Sequence, residues 1–121
     1  MEERNNRKVG AEKENLAADY LKSKGVKILC KNFRSRQGEI DIVGRDGEYL
    51  VFVEVKYRSS TKYDSPLSAV GITKQKQICK VADFYRCRYG IPMDTPIRYD
   101  VIGILKDEVS WIQNAFPHRY I

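Results

Sequence analysis

The chain has 121 residues, enough for one domain with a real core and too few for two. With 42% hydrophobic and 31% charged residues it has the balance of a folded globular protein and not of a disordered one. Twenty-two basic residues against 16 acidic ones leave a net charge of +6, which points to a polyanionic partner provided the positive residues surround a site.

Other classes are excluded as directly. No apolar run is long enough to span a bilayer and MEERNNRK leads into no signal-type segment, so the expected location is cytoplasmic, without membrane association. Cys30, Cys79 and Cys87 form no CxxC pair, and His118 is the single histidine. Zinc centres and histidine-based triads are therefore ruled out, and the cysteines are expected to be reduced thiols in partly buried positions.

The segment NRKVGAEKENLAADYLKSKG predicts an amphipathic helix with Leu16, Ala17, Tyr20 and Leu21 on one stripe and Gly25 as its C-cap. VKILCKNF predicts a strand. Gly38 to Arg58 supplies two more, divided at Arg45-Asp46-Gly47-Glu48, where Asp-Gly is a strong two-residue hairpin signal. With Asp46-Gly47 at the turn centre, Arg45 is opposite Glu48, Asp41 opposite Phe52, and Glu39 opposite Glu54. A polar loop, STKYDSP, follows. Ser65-Pro66 is a good N-cap and first-position pair for a second helix running to about Tyr89, with a break expected near Gly71 and with Ile78, Val81, Ala82 and Tyr85 facing the core. Ile91-Pro92 ends that helix, IRYDVIGIL predicts a strand, and VSWIQNAF a short terminal strand or turn. The order αβββαβ implies an α/β fold, a mixed sheet with helices packed on it.

The hairpin poses a chemical question, because two apolar strands carry Glu39, Asp41, Glu54 and Lys56. Alternation puts all four on one face and Val51, Val53 and Val55 on the other. A solvated face would account for charges at every second position, but Leu50 and Phe52 share the face of Glu54. Both faces are thus covered, as in a central strand whose far end turns polar. Carboxylates packed together there need a cation or a shared proton. Oxygen ligands from Asp41 and Glu54, with the Val55 carbonyl as a further donor, suit Mg²⁺ or Mn²⁺. Lys56, two residues on, can reach a phosphate or an attacking water. The set fits metal-assisted phosphodiester hydrolysis and needs no histidine base.

Asp41 followed by Glu54-Val55-Lys56 on the next strand resembles the D…(D/E)xK signature of the restriction-endonuclease-like nuclease superfamily. GEIDIV, LVFVEVK with Arg58 just after, the early G-x-x-x-E-x-x-A-x-x-Y-L of Gly10 to Leu21, and the terminal WIQNAF together resemble the bacterial YraN family over almost the whole chain. That resemblance implies a restriction-endonuclease-like core similar to that of archaeal Holliday-junction resolvases. It implies a metal-dependent endonuclease on DNA, with branched DNA the favoured substrate, working as a homodimer. Asp41 and Glu54 then match the metal-binding carboxylates, Lys56 the catalytic lysine, and Glu14 a first-helix glutamate completing the acidic cluster. Glu14 also lies at the edge of the helix's apolar stripe, one turn before Ala17. Lys13 stands where the family usually has glycine. Lys74 and Gln75 match a KQ pair near the superfamily's active site, and Asp100 matches a family position without a defined role.

Around these elements Arg58, Lys62, Lys74 and Lys76 form a candidate phosphate track, with Gln75 beside them, and Lys80, Arg86 and Arg88 extend the basic run along the helix. Glu39 is a supporting residue that would orient Asp41 or a bound water. Trp111 and Phe116 are expected in the core or an interface, not as base-stacking platforms. The alternatives to a nuclease are a non-catalytic nucleic-acid-binding module or an accessory protein that keeps the same fold.

Overall fold

The computed structural model describes residues 2–58 and 70–119, with side chains described for residues 9–57 and 70–119. Two helices, α1 (Glu2–Ser23) and α2 (Ile72–Arg88), pack on a mixed sheet of β1 (Lys27–Ser35), β2 (Gly38–Asp46), β3 (Tyr49–Arg58), β4 (Ile97–Leu105) and β5 (Glu108–Ile112). The strands lie in sequence order, antiparallel except for the parallel pair β3–β4. This α/β arrangement is consistent with a restriction-endonuclease-like core.

Each face of the sheet carries its own apolar layer. Ala17, Ala18 and Leu21 of α1 cover Ile42, Val51, Val53, Ile102 and Ile104. Ile78, Cys79, Val81, Ala82 and Tyr85 of α2 cover Ile40, Val43, Leu50, Phe52, Tyr99 and Val101. The expected stripes on both helices therefore face the core, and β3 is buried on both sides, as parallel pairing and two covering helices require. Gly25 takes φ 91° just after α1. The Val26 N–H donates to the Leu21 carbonyl at 3.0 Å, the six-to-one bond of a glycine-terminated helix.

The β2–β3 hairpin differs from the sequence expectation. Asp46 pairs with Tyr49, and the connection is Gly47-Glu48, not Asp46-Gly47. Gly47 has φ 61°, the glycine-first pattern of a II′-type turn, so the glycine sets the register. The ladder is displaced by two residues from the one expected: Val43, not Asp41, lies opposite Phe52. An even displacement keeps each side chain on its face while exchanging its partners. Regular alternation then fails at Asp41. Ile42 packs in the α1 layer, whereas Ile40, two residues away, packs with Val43 in the α2 layer. On β1, Asn32 carries a left-handed φ of 56° beside the same place. The ladder also shifts between Ile28 and Cys30, where β1 has a bulge.

α2 begins at Ile72 with Gly71 as its N-cap. The Ser65-Pro66 start and Lys62 fall outside the described residues. Cys30 is half-buried and Cys79 buried, as expected, but Cys87 is exposed, and all three are free thiols.

Asp100 gains its explanation here. It is 1% exposed, and both oxygens are fully used. Arg98 donates to them through Nε and Nη2 (2.9 Å each), Trp111 Nε1 donates at 2.9 Å, and the Asn114 N–H at 2.9 Å. Arg98 also reaches Asp46 at 2.8 Å and lies over the Tyr49 and Trp111 rings. The cluster ties β5 and the turn after it to β4 and to the β2–β3 connection. Trp111 packs against the α1 layer and Phe116 is 5% exposed in the α2 layer, so both serve the interior.

Asp100→Ala would leave Arg98 with Asp46 alone and orphan the Trp111 and Asn114 donors. The expected cost is on the order of 3 kcal/mol, read from the urea unfolding midpoint. A change below about 1 kcal/mol would show that the cluster is not the clamp described.

Candidate active site

The carboxylates meet where β2 and β3 part. The ladder is regular from Asp46↔Tyr49 to Ile42↔Val53, and one step further the same register sets Asp41 against Glu54. There Asp41 Oδ2 accepts the Val55 backbone N–H at 2.8 Å, so a side chain takes a bond of the kind a strand carbonyl normally accepts. In a strand the N–H and C=O of one residue project to the same side, so the Val55 carbonyl is also directed towards Asp41.

Glu54 is 8% exposed, and its Oε2 has no hydrogen-bond partner. The nearest cation is Lys74 of α2, whose Nζ lies 3.7 Å away, outside hydrogen-bond range. Burial pushes the Glu54 pKa up from 4.5 to about 8, and the hydrogen-bonded, like-charged Asp41 adds to the rise. Lys74 and Lys56 pull it back without cancelling it. The Glu54 carboxyl therefore holds its proton more tightly than an ordinary glutamate does.

Glu14 joins from the α1 side. Burial, then the Asp41 charge, raises its pKa, and Glu39 adds to the rise, while a hydrogen bond from the Asn32 side chain and the charge of Lys31 oppose it. Its helix neighbours fix it in place. Lys31 Nζ donates to Asn15 Oδ1 at 2.8 Å. Lys13 Nζ donates to the Lys106 carbonyl at 3.1 Å, lies 3.6 Å from Asp107 and sits 4.9 Å from the Tyr57 ring centre. The lysine in place of glycine thus anchors α1 to the β4–β5 turn. Among the described residues, no three His, Cys, Asp or Glu side chains close into a full metal cage.

Glu39 does not share the Glu54 face as the alternation predicted. The break at Asp41 turns it towards α1, where Arg34 Nε donates to it at 3.4 Å. The Gln75 amide is engaged at both ends: Nε2 donates to the Val70 carbonyl (2.9 Å), and Oε1 accepts from Arg119 Nε (3.0 Å). Lys76 is exposed and Lys56 half-buried. The Arg58 side chain and Lys62 lie outside what is described. Asn32 departs from the expectation of a plain strand over residues 26–33. Its signal was the residue type, since asparagine tolerates the left-handed region better than other strand residues.

A five-stranded mixed sheet flanked by two helices is consistent with a restriction-endonuclease-like core. Residues 13–104 match the Uncharacterised protein family UPF0102, the family of the YraN proteins, and the chain belongs to it. It is 48% identical to a UPF0102 protein of Lachnoclostridium phytofermentans, over 92% of this chain and 95% of that one. It is 45% identical to a Thermodesulfovibrio yellowstonii member (89% and 95%) and 42% identical to one from Marinobacter nauticus (95% and 97%).

A carboxyl whose folded pKa is raised is protonated in the folded state while its unfolded counterpart is ionised, so stability falls as pH rises between the two values. In EDTA, the melting temperature is expected to decline from about pH 5 to about pH 8 through Glu54. Glu54→Gln should flatten this decline. An unchanged slope in the variant would mean that Glu54 is not the titrating group.

Proposed function

We propose that this protein is a Mg²⁺- or Mn²⁺-dependent endonuclease that hydrolyses DNA phosphodiester bonds. The observation that carries the reading is the buried Asp41–Glu54 pair with one carboxylate oxygen left unsatisfied. A group that costs stability where it sits calls for a ligand, and an all-oxygen donor set of Asp41, Glu54 and the Val55 carbonyl fits a small hard cation. A divalent ion bound there would supply Lewis acidity, lowering the pKa of a water and offsetting charge on the phosphate.

The protein's own groups have distinct tasks in this reading. Asp41 is oriented by the Val55 N–H, which donates to Oδ2, and its carboxylate would hold the ion together with Glu54. Glu54, once ionised, would be the second carboxylate to hold the ion. Lys56 projects from the same face of β3, where its ammonium would hold the scissile phosphate or the attacking water. Glu14 would assist from α1, positioning the water or the Asp41 carboxylate. Lys74 would exchange its contact with Glu54 for a phosphate oxygen as the ion takes over the carboxylate. Arg58, Lys62 and Lys76 would follow the backbone on either side. The likeness to Holliday-junction resolvases favours a branched substrate, and paired symmetric cuts would then take a homodimer.

The test is cleavage of labelled duplex, single-stranded, flap and four-way-junction DNA with Mg²⁺ or Mn²⁺, beside purified Asp41→Asn and Lys56→Ala. Metal-dependent cutting that drops at least about a hundredfold in each variant is expected. DNA binding without cutting would replace this reading with that of a non-catalytic binding module. Absence of both would favour an accessory role.

A further inference from the structure

The outward side of α2 holds a feature that shares only Lys76 with the candidate active site. Lys76, Lys80, Phe84 and Arg88 recur at every fourth position and are all exposed, so they form one ridge along the helix. The ridge starts at the same end of α2 as Lys74, the residue placed against Glu54, but on the opposite side of the helix, and extends about 18 Å from Lys76 to Arg88. Its charge has one sign. Asp83 is the single acidic residue of α2, and it is occupied by Arg86 and His118, each at 3.4 Å. Arg86 is thereby withdrawn from the ridge, its side chain 13% exposed.

The far end of the ridge is aromatic. Phe33 of β1 meets Tyr85 at 5.0 Å, Phe84 at 6.1 Å and Tyr89 at 6.3 Å between ring centres. Phe33 and Tyr85 are the buried pair that closes the core there, but Phe84 and Tyr89 remain 44% and 53% exposed. The Arg88 guanidinium lies 5.7 Å from the Tyr89 ring centre. Open rings held firm by buried ones and flanked by cations provide what an unpaired nucleobase and its phosphate require. A base pair already stacked within a duplex offers no ring face to them.

We infer that this ridge binds an unpaired nucleic-acid strand leading away from the active site, with Phe84 and Tyr89 as the stacking platform and Lys76, Lys80 and Arg88 on its phosphates. The inference rests on the nuclease reading for its direction and names the substrate class more narrowly, as nucleic acid with a single-stranded portion.

The test is fluorescence anisotropy in EDTA with labelled oligothymidylate and, separately, a matched blunt duplex. Wild type would be compared with Phe84→Leu and Tyr89→Leu, which keep an apolar side chain over Phe33 and remove the ring, and with Arg88→Gln. Each ring variant should weaken oligothymidylate binding at least about fivefold and duplex binding less than twofold. Arg88→Gln should lower the salt slope for the single strand by about 0.7. Unchanged single-strand affinity in the ring variants, equal losses on both probes, or wild type that binds neither would overturn the inference. Cleavage is scored apart from binding: a protein that loses single-strand affinity in these variants but cuts nothing keeps the ridge and loses the nuclease reading. A nuclease indifferent to them does the reverse.

Discussion

One backbone amide organises this molecule's chemistry. The Val55 N–H donates to the Asp41 side chain, and that bond holds β2 and β3 apart just where both strands leave the shelter of the core. A regular ladder at this point would have sent the two carboxyls to fixed positions along a flat sheet. The parting instead lets Asp41 turn into the gap, brings Glu54 against it, and opens the same gap to Glu14 from one helix and Lys74 from the other. Asn32, in its left-handed conformation on β1, accommodates the swivel and spends its side chain on Glu14. Geometry and charge arise from a single break in alternation.

That break concentrates repulsion. Glu54 is buried beside a second carboxylate, and the two lysines nearest to it do not restore its ordinary acidity. The rest of the fold tolerates this because it is firmly set elsewhere. The two apolar layers are continuous on either side of β3, and the Arg98–Asp100 cluster secures the outer strand and the turn after it with every buried donor and acceptor paired. A stable scaffold can carry such a local cost, and the contrast is between Asp100, with both oxygens paired, and Glu54, with one oxygen left without a hydrogen bond.

Most of the architecture was legible because it rests on periodicity. The helix stripes, the apolar strands and the double covering of β3 follow from spacing alone, and so does the placing of Asp41 and Glu54 on one side of the hairpin. The exact register did not follow. Asp46-Gly47 and Gly47-Glu48 are both acceptable two-residue turns, and only the backbone conformation at Gly47 chooses between them. Since the two differ by an even step, the carboxylates stayed together while their partners changed. Glu39 was misplaced for the opposite reason: alternation was carried through a residue where it fails. Asp100, Arg98 and Trp111 come from separate stretches of β4 and β5, and Gln75 is joined to Arg119 across 44 residues. Nothing local in the sequence announces such partners.

β1 is an outer strand, and its outer rim is open to other chains. A flat open rim is a template for another strand to add, the route by which sheet proteins stick together. Here the rim is spoiled at three successive points: the bulge between Ile28 and Cys30, the left-handed Asn32, and Lys27, Lys31 and Arg34 spaced along its length. An incoming strand would lose its hydrogen-bond register twice, and a second copy of the same rim would meet its own positive charges. The irregularity that shapes the carboxylate end of the sheet thus also keeps its exposed margin from recruiting neighbours.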